Sequence, residues 1–183
     1  MPRAFVAIRP PPPVLDAIAA RLASLALSPG RAAPPDQWHL TVQFLGDDAD
    51  LAAVAAVFEL DPVQLDAAAI RLGGAEALGN RRRARILALG LQEGADWVRR
   101  LAAQVERRLA PLGYERDDRD RPLQPHLTLA RFRAPTDLRP LCGDIGSDPV
   151  GPAWRVDEMV LYESVLRPGG AQHTARARLP IGP

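Results

Sequence analysis

The side chains in this sequence best suited to chemistry sit in two copies of one short pattern. Residues 38–46 read Trp38-His39-Leu40-Thr41-Val42-Gln43-Phe44-Leu45-Gly46, and 87 residues after His39 the chain reads His126-Leu127-Thr128-Leu129-Ala130-Arg131-Phe132. In each copy a histidine and a threonine stand two apart, with aliphatic residues between and after them. That is the period of a β-strand with one polar and one apolar face, so His and Thr share a side. Only three histidines occur in the chain, and two of them lie in this repeat.

Imidazole titrates across neutral pH, so two of them can serve in one turnover as acid and base. A threonine hydroxyl beside each can donate to a non-bridging phosphate oxygen. If a pseudo-twofold relation sets the two strands side by side across a cleft, the site suits in-line displacement at phosphorus. One group deprotonates the incoming oxygen, another protonates the leaving oxygen, and the hydroxyls hold the charge that builds between them. Neither histidine has a second His, a Cys or a well-spaced carboxylate nearby to complete a metal shell, so no metal and no cofactor are expected.

The elements that must position these residues recur in the same order. A strand over Arg3 to Ile8 leads through Pro10 to Pro13 into a helix spaced by Val14, Leu15, Ile18, Leu22 and Leu25, ending by Leu27 before Pro29-Gly30. A loop over Arg31 to Gln37 delivers the chain to the first motif strand, and Ala49 to Leu60 reads as a second helix. Val63 to Leu72 looks extended, with Gly73-Gly74 breaking it. Then Ala84 to Leu91 gives a strand, Ala95 to Leu112 a strongly amphipathic helix through Val98, Leu101, Val105 and Leu109, and Glu115 to Pro125 a charged loop into the second motif strand. Strand, helix, loop, His-x-Thr strand is the plan of both halves, so the chain reads as a duplication. A short helix near Asp137 to Leu141 and two strands, Val156 to Leu166 and Gln172 to Ile181, joined by Arg167-Pro168-Gly169-Gly170, close it. The expected class is α+β: one domain over 1–183 made of two pseudo-symmetric lobes. Each lobe is a small, mostly antiparallel sheet backed by helices, with motif strands near 38–46 and 125–133 and the cleft between the lobes.

Composition narrows the function. A chain of 183 residues can bury a core without staples, and the single cysteine, Cys142, excludes an internal disulfide and reads as an ordinary packed residue. The apolar N-terminal piece is too short for a signal peptide and no stretch has the length of a membrane span, which points to a soluble, cytoplasmic protein, taken as a monomer. All 23 basic residues are arginine, yet net charge is only +1, which argues against a non-specific polyanion binder. The run Arg81-Arg82-Arg83-Ala84-Arg85 reads as an exposed turn, and the arginines of 116–121 are largely cancelled by Asp117, Asp118 and Asp120.

Arg3-Ala4-Phe5-Val6-Ala7-Ile8, the two His-x-Thr motifs with their flanks, and Leu161-Tyr162-Glu163-Ser164 together resemble the two-histidine (2H) phosphoesterase superfamily. Within it they are most similar to the RNA 2′,3′-cyclic phosphodiesterases, also called 2′-5′ RNA ligases. The resemblance implies that His39 and His126 are the catalytic pair, His39 as general acid on the departing 3′ oxygen and His126 as general base on water. It implies that Thr41 and Thr128 bind phosphate, that Phe44 contacts a base, and that Arg131 contacts substrate. The implied reaction opens the 2′,3′-cyclic phosphate end of an RNA, tRNA fragments among them, or a cyclic nucleotide, to a 2′-phosphate. Run backwards with a 5′-hydroxyl, it makes a 2′-5′ linkage. One departure is visible: where the family often has a tyrosine after the last turn, this chain has His173. The alternative from another class is an RNA-end or nucleotide-binding module that does not turn over, against which both intact His-x-Thr pairs speak.

Overall fold

The computed structural model describes residues 3–116, 122–167 and 170–182, so the Pro168-Gly169 turn and most of the 116–121 stretch lie outside the described residues. In chain order the elements are β1 (Arg3–Ile8), α1 (Pro12–Ala23), β2 (Arg31–Ala32), a 3-10 turn (Pro35–Gln37), β3 (Leu40–Asp47), α2 (Leu51–Leu60), β4 (Val63–Gln64), β5 (Ala69–Ala77) and β6 (Ala84–Glu93). Then follow α3 (Ala95–Leu109), a 3-10 turn (Ala110–Leu112), β7 (Leu127–Thr136), α4 (Arg139–Ile145), β8 (Pro149–Arg155), β9 (Glu158–Arg167) and β10 (Gly170–Gly182). The strands run β4-β10-β9-β1-β3-β7-β6-β5-β8, with β2 added to β7. Among the described residues every pairing is antiparallel except the short one of β4 with β10.

This is the α+β fold expected from the sequence, and its seam is narrow. The two motif strands meet through one residue pair, Leu40 opposite Leu127, both fully buried. Burying a leucine contributes about 1.5–3 kcal/mol, so the seam is held by packing more than by ladder hydrogen bonds. At this seam the one ten-stranded sheet divides into two smaller sub-sheets, β4-β10-β9-β1-β3 and β7-β6-β5-β8.

The helices that back these sheets are exchanged. α1 follows β1 but packs against β8 of the other sheet, and α3 follows β6 but packs against β3 and β4. α2 and α4 stay with their own sides, against β10 and β5 respectively. Gly151 makes the α1–β8 approach close: it has φ +79°, and a methyl group there would meet Ala17 Cβ at 3.1 Å and Val14 Cα at 3.3 Å. α3 is held in place by a buried stripe of Trp97, Val98, Leu101, Ala102, Val105 and Leu109. The Trp97 indole N–H donates to the Asp66 carbonyl at 2.7 Å. α2 is capped by the Asp50 carboxylate, which accepts from the Ala53 N–H at 3.0 Å.

Three details differ from the sequence expectation. α1 spans Pro12–Ala23, starting earlier because proline is tolerated in a first turn, and Leu25 and Leu27 reach the core from the following loop. The Gly73-Gly74 pair does not end a strand. β5 passes through it as a bulge, with Leu72 opposite Leu91 and Ala75 opposite Leu89, and Gly74 takes φ +73°. β8 has no counterpart in the sequence expectation, since Pro149, Gly151 and Pro152 mask its alternation.

Candidate active site

Because β3 and β7 run antiparallel through Leu40 and Leu127, His39-Leu40-Thr41 lies against Thr128-Leu127-His126. The leucines point into the core, and the four polar side chains line one cavity of about 570 Å³ on the opposite face. Phe44 and Arg131 line the same cavity, so it brings together all six residues singled out in the sequence.

Phe44 and Arg131 stand five places after their histidines, an odd step that strict alternation would send to the core. A bulge in each strand corrects the parity. Against β1, β3 skips Val42, pairing Thr41 with Ala7 and Gln43 with Val6. Against β6, β7 skips Leu129, pairing Thr128 with Ala88 and Ala130 with Leu87. Both bulges fall three residues after the histidine, and each turns two consecutive side chains inward, Val42 with Gln43 and Leu129 with Ala130. Phe44 and Arg131 thereby return to the cleft. Phe44 is 69% exposed, a rim residue. Gln43, drawn inward, uses its side-chain N–H to donate to the Phe44 carbonyl at 3.1 Å.

Each imidazole is held in the same way. Nδ1 of His39 lies 2.7 Å from the Gln37 carbonyl oxygen, and Nδ1 of His126 lies 2.9 Å from that of Gln124. A carbonyl can only accept, so both Nδ1 atoms carry the proton and both Nε2 atoms are free for chemistry. The surroundings differ. His39 is stacked on Phe5, with ring centroids 4.7 Å apart, and stands edge-on to His173 at 5.4 Å. Burial pushes its pKa down to about 4; the Gln37 hydrogen bond opposes this, while His173, Arg131 and His126 add to it. Both rings are half-buried, and the His126 carbonyl hydrogen bond lies in a more exposed setting than that of His39.

The sequence leaves the role of His173 open, marks Ser164 only as part of the matching Leu161-Tyr162-Glu163-Ser164 piece, and assigns no role to Gln37 or Leu166; all four line the cleft. The Gln37 side chain donates to the Ala171 carbonyl, tying β10 to the turn that holds His39. Leu166, 72% exposed, shares the rim with Phe44. Arg81, Arg82, Arg83 and Arg85 do not line this cavity; the first three sit in the β5–β6 turn. Cys142 packs half-buried in α4, where burial raises its thiol pKa. Among the described residues no three His, Cys, Asp or Glu side chains gather as an ion would need, and no helix is long and apolar enough to cross a membrane.

Comparison with known proteins agrees with this architecture. The chain is 27% identical over 141 residues to an RNA 2′,3′-cyclic phosphodiesterase of Aeropyrum pernix, covering 75% of this chain and 78% of that one. It superposes on the crystal structure of TT0787 from Thermus thermophilus with a TM-score of 0.78 at 27% identity, over 98% and 97% of the two chains. It shares its fold with Escherichia coli LigT, crystallised with 3′-AMP, at a TM-score of 0.78 and 24% identity, over 99% of each chain. The model of the 2′-5′ RNA ligase superfamily matches residues 10–167, and with two His-x-Thr strands facing one cleft inside that span, the chain belongs to this superfamily of 2H phosphoesterases.

Proposed function

We propose that this phosphoesterase hydrolyses 2′,3′-cyclic phosphates at RNA ends or on nucleosides to 2′-phosphates. The observation that carries the reading is the pair of imidazoles with both Nδ1 atoms pinned to carbonyls, opening their Nε2 atoms onto one cavity beside two threonine hydroxyls. The name of the Aeropyrum pernix relative supports the same substrate class.

In this mechanism the cyclic phosphate sits between the two strands, its non-bridging oxygens taking hydrogen bonds from Thr41 and Thr128 and a charge-assisted one from Arg131. His126, on the open side, takes a proton from water through Nε2 as the water oxygen bonds to phosphorus. The phosphorus–O3′ bond breaks, and His39 gives its Nε2 proton to O3′, leaving the phosphate on the 2′ oxygen. Burial keeps His39 neutral in the empty cleft, and the anionic phosphate supplies the field that lets it take up the proton it later donates. Phe44 on the rim offers a face for a nucleobase. With a 5′-hydroxyl in place of water as the nucleophile, the same groups form a 2′-5′ linkage, and the reverse of that step regenerates the cyclic phosphate with acid and base exchanged.

The test is turnover of 2′,3′-cyclic AMP and of a cyclic-phosphate-ended RNA in the presence of chelator, with the phosphate position on the product read by chromatography. Wild type should release the 2′-phosphate, and His39→Ala and His126→Ala should each be slower by about 10²–10⁴-fold. Binding without turnover would favour a nucleotide-binding module, and turnover restored only by added metal would overturn the metal-free step.

A further inference from the structure

Three imidazoles line the cleft, and the duplicated motifs account for two. The third, His173, comes from β10, where it pairs with Ser164 of β9. Its ring is edge-on both to His39, at 5.4 Å and 85°, and to Phe5, at 5.0 Å and 83°. Its Nδ1 is shut off from solvent and has no hydrogen-bond partner. The ring is only half-buried and lines the cavity, so Nε2 is the nitrogen left to face it.

This geometry fixes what the side chain can offer. A buried N–H with nowhere to donate is among the rarest features of folded proteins, whereas a bare lone pair is better tolerated. His173 therefore places its proton on Nε2, pointing a donor into the cleft. Becoming a cation would put a second N–H on the enclosed Nδ1, and burial together with the nearby Arg131 holds its pKa down, opposed by Asp36. The charged and titratable groups around it are His39 just before β3, Arg131 from β7, Tyr162 from β9 and Asp36 from the 3-10 turn before His39. A second imidazolium beside His39 would repel the proton that His39 needs to act as an acid.

We infer that His173 contacts the substrate as a neutral hydrogen-bond donor, giving Nε2–H to a phosphate oxygen at the His39 end of the cleft and leaving the positive charge there to His39. This rests on the cyclic phosphodiesterase reading and adds to Thr41, Thr128 and Arg131 a fourth phosphate-directed side chain, this one from outside the duplicated motifs.

Two substitutions and one spectrum test it. His173→Phe keeps the ring and its edge contacts but removes the donor; His173→Gln restores one. Loss of a hydrogen bond to a charged group should weaken adenosine 2′-monophosphate in calorimetric titration, and raise KM for 2′,3′-cyclic AMP, by about ten- to a hundredfold in His173→Phe. Its kcat should change less, and His173→Gln should recover most of the loss. The KM deficit on 2′,3′-cyclic AMP, a diester that keeps one negative charge across this range, should be the same at pH 5.5 and pH 8, because a neutral donor does not titrate between them. Nitrogen-15 spectra of the wild type should show His173 as the Nε2–H tautomer, a test that needs no variant to fold. Unaltered binding by His173→Phe, a deficit confined to acid pH, or an Nδ1–H tautomer would each overturn the inference. Absence of wild-type turnover would instead remove the hydrolase reading, while titration with adenosine 2′-monophosphate still decides what His173 does.

Discussion

Phe5 and His39 lie nearly face to face, with ring centroids 4.7 Å apart and 26° between their planes. Phe5 belongs to a small buried group with Ala7, Val160 and Tyr162 on the cleft side of the sheet, separate from the main core beneath. One motif histidine therefore rests on a hydrophobic floor, and desolvation by burial is the largest influence on its proton affinity. Phe5→Leu keeps an apolar side chain but gives up the ring face, so the His39 pKa should rise from about 4 toward the ordinary 6.5. A proton-detected titration of the His39 ring reads this directly; an unmoved midpoint would mean that the floor does not set it.

The same depressed pKa ties stability to pH, and its sign follows from proton counting. Unfolded His39 binds a proton near pH 6.5 while the folded one waits until about 4, so between these values the unfolded state holds more protons. Folding loses stability as pH falls through that window, by an amount on the order of 2 kcal/mol at pH 5 for this one residue. His39→Gln removes the titration. Urea unfolding at pH 7 and pH 5 should show a smaller acid loss in His39→Gln than in wild type, while equal losses would place the proton elsewhere.

The sequence carries the chemistry more readily than the architecture, for physical reasons. Alternation of His39, Leu40 and Thr41 marks a two-faced strand wherever it lies, and the buried stripe of α3 marks a helix. Where Phe44 and Arg131 point is not legible there, because it depends on bulges at Val42 and Leu129 that appear only when a partner strand sets the register. Nor does local pattern say that α1 crosses to β8, since an apolar helix face does not name the sheet it will cover. His173 shows in the sequence only as a departure; its enclosed Nδ1 is a property of three elements packed together.

The bulges divide labour between the two residues they return to the cleft. Arg131 can pair with phosphate whatever base is attached, and it also helps hold the His39 and His173 pKa values down. Phe44, exposed at the rim, can only stack, at about 1–3 kcal/mol per base. Arg131→Ala should raise KM on 2′,3′-cyclic AMP and 2′,3′-cyclic UMP alike and lift the acid limb of the pH profile to higher pH. Phe44→Ala should cost less on either mononucleotide and should cost more on the purine than on the pyrimidine. Equal, base-independent losses in both variants would dissolve the division.

The last expectation assigns the acid and the base. Both histidines present Nε2 to the cleft, but His39 is stacked on Phe5 while His126 makes its carbonyl hydrogen bond on the exposed side. Water reaches His126 more freely, which suits a base; His39, enclosed and short of protons until an anion arrives, suits an acid charged by its own substrate. Phosphate binding should accordingly draw in a proton near neutral pH, seen as a binding enthalpy that varies with the ionisation enthalpy of the buffer. The pH–rate profile should be bell-shaped, but its limbs belong to the coupled pair and name neither residue. The leaving group separates them. On an activated phosphodiester whose leaving oxygen needs no proton, His39→Ala should recover most of its lost rate, while His126→Ala stays slow because water still lacks its base. Recovery by His126→Ala instead would exchange the two roles, and recovery by neither would make both imidazoles phosphate ligands.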